Sequence, residues 1–172
     1  MKNVMLYILL ITSFFYSCNE QKNQKPVNNE ELRETLIKAN QIMAQNEADE
    51  INSYIKRHEL NLTQSGTGLR YEINARGNSG SPDEDDIVTV EFKMNLLNGN
   101  SLTDDKDTMQ FEMGKAEAPK GLEEGLSMIG VGGNVFLIIP SHLAYGRKGN
   151  EKNVPGNTPV VVNATLIHVT KK

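Results

Sequence analysis

Two hydrophobic periods divide the chain. Between residues 30 and 62 the apolar positions follow a helical spacing: Leu32, Leu36, Ala39 and Met43 are four, three and four apart, and Ile51, Ile55, His58 and Leu62 repeat the interval. Each set marks one stripe along a helix, and Asn29 ahead of Glu30-Glu31 suits an N-cap with acids in the first turn. The two stripes are out of phase, which predicts two helices or one kinked helix with the break near Gln45-Asn46. Such an arm either docks on the domain that follows or joins two chains.

Thr63 to Gly68 is rich in turn residues and ends the arm, so a second domain is expected over residues 66–172. Its period is two. Leu69, Tyr71 and Ile73 alternate with Arg70, Glu72 and Asn74, and Val88, Val90, Phe92 and Met94 alternate with Thr89, Glu91, Lys93 and Asn95. Asn98-Gly99 is a hairpin-type turn. Leu122, Leu126 and Ile129 return to helical spacing behind Pro119, which predicts one short helix opened by that proline. Val135–Ile139 suits a central strand and Val160–Val169 a closing one. The expected fold class is α+β: a mostly antiparallel twisted sheet wrapped around one short helix, with an N-terminal helical arm.

The front of the chain reads as an address. Met1-Lys2 is followed by an almost unbroken apolar run, Val4–Phe15, too short for the roughly 20 residues a spanning helix needs. Residues 1–17 are therefore expected to be a signal peptide. The junction Phe15-Tyr16-Ser17-Cys18 resembles a bacterial lipobox, with a small residue before the single cysteine of the chain. Lipidation at Cys18 would leave residues 18–29 as a polar tether. The expected location is the cell envelope, lipid-anchored, at the outer membrane facing the periplasm.

Charge and composition narrow the function. The 172 residues carry a net charge of −4 and no long basic block, which argues against a nucleic-acid partner. One cysteine and three scattered histidines exclude an internal disulfide and a Cys-cluster or HExxH zinc site, so no metal is expected. Asp83–Asp86 and Asp104–Asp107 lack the calcium-loop pattern and read as solvated loops. Gly130-Val131-Gly132-Gly133 follows a helix and precedes a strand, so it reads as a turn rather than a phosphate loop. Ser127, Ser141 and His142 form no nucleophile motif, and His142 and His168 read as structural or exposed. Any chemistry must then proceed without nucleophile, metal or cofactor. Rotation about an X–Pro amide meets that condition, with a barrier near 20 kcal/mol that an apolar pocket can lower by favouring the twisted, less polar state.

The second domain resembles the FKBP-type peptidyl-prolyl isomerases. The matching pieces run in order from Leu69 to the C-terminus: Val88-Thr89-Val90-Glu91-Phe92, Leu97-Asn98-Gly99, Phe111-Glu112-Met113-Gly114, Gly121-Leu122-Glu123-Glu124-Gly125-Leu126, Ile139-Pro140-Ser141-His142-Leu143-Ala144-Tyr145-Gly146 and Val154-Pro155-Gly156-Asn157. With its lipobox and arm the chain looks most like the FKBP lipoproteins of the Bacteroidetes, the gliding-motility-associated members among them. The resemblance implies a prolyl isomerase and folding helper for proline-containing exported polypeptides, free of cofactor, anchored to the membrane by lipid, with the arm available for a homodimer. The alternative is a non-catalytic binding module on the same scaffold.

Carried over position by position, the resemblance implies a site of Tyr145, Phe111, Leu122 and Phe92, walled by Leu102, Thr103, Met109, Ala118, Pro119, Val154 and Val162. Tyr145 matches the tyrosine whose hydroxyl bonds the bound amide carbonyl, Phe111 an aromatic of the floor, and Leu122 the residue at the pocket base. The departures are several. Phe92 replaces a tyrosine, Leu102 and Thr103 replace an aromatic and an aspartate, and Met109 and Val162 replace aromatics. Pro119 cannot donate the backbone N–H that the family offers there. Weak catalysis is therefore expected.

Overall fold

The computed structural model describes residues 29–78, 80–104, 107–150 and 152–172. The expected signal peptide, Cys18 and most of the tether lie outside the described residues. The chain divides into two units, residues 1–39 and 40–172. Helix α1 spans Asn29–Arg57 without interruption, with acids in its first turn and Lys56 and Arg57 in its last. The expected division into two helices near Gln45-Asn46 is absent, and the helix ends before His58 and Leu62. The reason is geometric. The stripes are eight residues apart, about two and a quarter turns, so one helix carries both on faces roughly a quarter turn apart.

The two stripes have different surroundings. Leu32, Leu36, Ile37, Ile42 and Met43 are about half exposed. Ile51 is buried in an apolar cluster with Leu97, Ile138 and Val161, flanked by Tyr54, Ile55, Leu60, Leu62 and Phe136. The later part of α1 thus packs on the sheet, and the expected domain start at residue 66 falls inside the compact unit, which begins at Asn40.

After α1 come β1 (Thr63–Gln64), β2 (Arg70–Ala75), β3 (Ile87–Leu96), β4 (Asp107–Glu112), helix α2 (Lys120–Leu126), β5 (Asn134–Ile139), a 3-10 turn (Ser141–Leu143) and β6 (Val160–Thr170). The strands form one six-stranded sheet in the order β1-β2-β5-β6-β3-β4, every pair antiparallel. The fold is the expected α+β class. Strand β4 was not expected, because the acidic run before it masks a short strand. Asp107 accordingly stands on β4 and Asp104 in an exposed loop.

The core lies between the sheet and α2. Val135, Leu137 and Ile139 of β5, Val160, Val162, Ala164 and Leu166 of β6, Val88 and Val90 of β3, and Leu122 and Leu126 of α2 are all fully buried. Ile138 and Val161 point the other way, into the cluster around Ile51. The centre of the sheet is therefore buried on both faces, which accounts for the unbroken apolar runs 135–139 of β5 and 160–162 of β6. Gly121 and Gly125 let α2 approach closely. A Cβ on Gly125 would come within 2.7 Å of Leu137 Cδ1, and one on Gly121 would collide with Ile139. Ile129, expected in the helix, lies just beyond it and is buried. Pro119 is the N-cap rather than the first helical residue; its carbonyl accepts from the N–H groups of Leu122 and Glu123.

The Asp83–Asp86 run is only partly the solvated loop expected. Asp83, Glu84 and Asp85 are exposed, but Asp86 is 3% exposed. Its Oδ2 takes the Lys171 ammonium at 2.8 Å and the Asp83 N–H at 2.7 Å, and its Oδ1 accepts the Lys172 N–H at 3.3 Å. A buried carboxylate needs such partners, and they tie the end of β6 to the loop before β3.

The hydrogen bond from Lys171, then that from the Asp83 backbone, holds the Asp86 carboxyl below the usual carboxylate range. Since the folded-state pKa lies below the unfolded one, the stabilisation is complete above about 3.9 and is lost as pH falls through the lower folded value. Asp86→Asn should lower the melting temperature at about pH 6 and lessen the further fall between about pH 5 and about pH 2. Calorimetry across that range checks it; an acid slope equal to the parent's would show that Asp86 does not contribute.

Candidate active site

Strands β3 and β4, the segment into α2, and the loops after β3 and β5 converge on one end of the core. Tyr145, Phe111, Leu122, Phe92, Leu102, Met109, Ala118, Val154 and Val162 all belong to a single apolar cluster. Burial within it is graded. Leu122, Val162, Phe111, Val154 and Ala118 are buried, whereas Tyr145, Phe92, Leu102 and Met109 are half-buried at its margin. Register explains the convergence: Val88 pairs with Phe111 and Val90 with Met109 across β3–β4, and Met94 and then Leu137 flank Val162 on its two sides. Pro119 is buried at the start of α2, beside Ala118.

Met94 joins three of these parts, and nothing in the sequence singled it out beyond its place in an alternating strand. Its carbonyl accepts the Leu102 N–H at 2.9 Å, its N–H donates to Thr103 Oγ1 at 2.9 Å, and its Sδ receives the Tyr145 hydroxyl at 3.6 Å. Thr103 thus has its hydroxyl oxygen engaged by backbone and brings no charge. The Leu102 carbonyl accepts from Asn153 Nδ2 at 3.0 Å. Asn150 Oδ1 in turn gathers the N–H groups of Lys152, Asn153 and Val154, which shapes the loop carrying Val154.

Tyr145 is the polar group of this margin. Burial pushes its phenol above the ordinary tyrosine value, so the hydroxyl keeps its proton and remains a donor. Its acceptor, a thioether sulfur, is weak, so a peptide carbonyl entering the margin can take the bond over. His142 is exposed, with Nε2 3.1 Å from the Thr67 carbonyl; His168 is exposed on β6.

A separate cavity of about 380 Å³ lies along α2, lined by Pro82, Met113, Lys120 and Glu123 among others. Burial raises the Glu123 carboxyl, and its Oε1 has no hydrogen-bond partner among the described residues. No group of three or more His, Cys, Asp or Glu that could hold a metal ion occurs among the described residues, and no helix among them is long and apolar enough to cross a membrane.

Residues 78–167, just over half of the chain, match the family model of the FKBP-type peptidyl-prolyl cis-trans isomerases. The FKBP-type peptidyl-prolyl cis-trans isomerase FkpA of Buchnera aphidicola subsp. Baizongia pistaciae is 31% identical over 123 residues, which cover 71% of this chain and 48% of that protein. FkpA of Escherichia coli strain K12 is 34% identical over 115 residues, 64% of this chain and 41% of the relative. The crystal structure of FkpA from Escherichia coli superposes with a TM-score of 0.60 at 25% identity, covering 96% of this chain and 81% of that one. This chain belongs to the FKBP-type peptidyl-prolyl cis-trans isomerase family. It spans less than half the length of these two curated relatives.

Proposed function

We propose that this chain is a slow peptidyl-prolyl isomerase that assists the folding of exported proteins, held at the outer membrane by a lipid on Cys18 and facing the periplasm. The observation that carries the catalytic part is Tyr145, a half-buried hydroxyl at the edge of an apolar cluster whose acceptor is the Met94 sulfur. A proline entering the margin sheds water onto apolar walls, which removes the solvation that favours the planar amide. The Tyr145 hydroxyl then orients the carbonyl while the bond rotates. Low activity is argued from three departures: Thr103 brings no carboxylate, Pro119 no N–H, and Leu102, Met109 and Val162 no rings. One missing donor costs about 0.5–1.5 kcal/mol. The engaged Thr103 oxygen also favours a second reading, a binding module without catalysis, which the same assay separates.

In a proline-limited refolding assay, Tyr145→Phe should lower kcat/KM by a few-fold to about tenfold at unchanged melting temperature. Leu102→Phe with Thr103→Asp should raise it, by restoring the ring and the charge. The parent rate should be nearly flat from about pH 6 to about pH 8, because the raised phenol stays protonated throughout. A parent without activity and a restored variant that gains none would leave the binding module as the function.

The anchor is supported by the apolar run Val4–Phe15 and by Ser17 before Cys18. A lipobox and a helical arm ahead of the isomerase domain are what support placing it with the gliding-motility-associated lipoproteins of the family. Cys18→Ser should release the protein into the soluble fraction after a detergent-free wash; unchanged membrane retention would sink the anchor.

A homodimer through α1 is supported by the half-exposed Leu32, Leu36 and Met43. Sedimentation should give twice the chain mass for the mature protein and a single mass once residues 19–39 are removed. A monomer in both would argue against it.

A further inference from the structure

We propose that Glu47 of α1 is a positioning residue for Tyr145, acting through Ser141; the proposal rests on the isomerase reading above. Its two carboxylate oxygens hold the first residue of the 3-10 turn. Ser141 Oγ donates to Glu47 Oε2 at 2.7 Å, and the Ser141 N–H donates to Glu47 Oε1. The two residues are 94 positions apart in sequence, and Ser141 is buried, with 6% exposure. A two-point carboxylate grip on one residue is a charge-assisted, directional contact, stronger than a neutral bond.

What Glu47 holds bears directly on Tyr145. The Ser141 carbonyl accepts the N–H groups of Ala144 at 3.1 Å and Gly146 at 2.7 Å, the two neighbours of Tyr145. Gly146 has a positive φ of 62°, and its carbonyl accepts the Asn157 N–H at 2.8 Å. Ser141 therefore lies at the centre of the turn: its donors are held by the helix, and its acceptor holds the backbone on both sides of the tyrosine. The other end of the contact is also fixed. Ile51, one helical turn beyond Glu47, is locked among Leu97, Ile138 and Val161. The sheet sets the helix, the helix sets Glu47, and Glu47 sets the turn from which the Tyr145 hydroxyl reaches Met94. Glu47 is not a member of the apolar cluster and its carboxylate bonds to Ser141, so its effect passes through the turn that carries Tyr145.

That dependence gives the test, made in the whole chain. Glu47→Ala should lower kcat/KM about three- to tenfold, within the range that misplacement of one hydrogen-bonding group produces, and should speed amide hydrogen exchange at Ala144 and Gly146. Glu47→Gln, which keeps one acceptor oxygen, should fall between Glu47→Ala and the parent. In a Tyr145→Phe background Glu47→Ala should cost little more, because the hydroxyl it positions is already gone. A general structural role would instead lower activity by the same factor in both backgrounds. Parent-like kcat/KM in Glu47→Ala, or equal losses in the two backgrounds, overturns the proposal. Should the parent have no isomerase activity, the isomerase reading falls, and exchange alone decides this one: faster exchange at Ala144 and Gly146 supports the grip, and unchanged exchange overturns it.

Discussion

The structure depends on the pairing of β5 with β6 and on the burial of that pair from both sides. Leu137 and Ile139 face α2 across the core, while Ile138 faces Ile51 of α1; Val160 and Val162 share the first surface, and Val161 the second. Where the two strands are buried on both faces, at 137–139 and 160–162, their backbone hydrogen bonds are shielded from water and their register is strongly specified. A slip of one residue would exchange the two apolar faces and set Asn163 against the core.

The site hangs from the same pair. Strand β5 ends at Ile139, and Pro140-Ser141 leads at once into the turn carrying Tyr145. Strand β6 places Val162 beside Met94 of β3, and Met94 in turn holds Leu102, Thr103 and the tyrosine hydroxyl. The floor of the cluster thus follows from strand order, while its margin also takes in the loops that carry Leu102, Tyr145 and Val154, which is why residues from positions 92 to 162 meet in one cluster.

The strands with clean alternation were legible in the sequence, as were the short helix and the turns at Asn98-Gly99 and Gly130–Gly133. The alternation of β3 needs only one buried face to be read. Strand β4 was not legible, because only Met109 and Phe111 carry the alternation within its six residues, a run too short to stand out behind the acidic stretch. The phase shift in α1 was visible, but it does not divide the helix in two: periodicity reports which faces are apolar, and one continuous helix can carry two such faces in different environments. Asp86 looked like its exposed neighbours, since burial of a carboxylate depends on Lys171 arriving from the far end of the chain. The apolar residues around Tyr145 were named through family resemblance, and the fold gathers them in one cluster; the parts played by Met94 and Glu47 were not visible, because they are contact geometry between distant segments, for which a single sequence carries no marker.

The two helical glycines have a consequence for how such a site can diversify. Because Gly121 and Gly125 seat α2 directly on Ile139 and Leu137, the height of Leu122 is set by helix backbone meeting those two side chains, with no side chain of the helix between them. The floor of the apolar cluster is thus tied to two close contacts that a larger residue at either glycine would break. Leu102, Met109 and Val154 sit instead on an edge strand and on loops that tolerate exchange. A lineage built on this scaffold can vary the margin of the apolar cluster without disturbing the packing beneath it, so that surface character and foldability evolve separately.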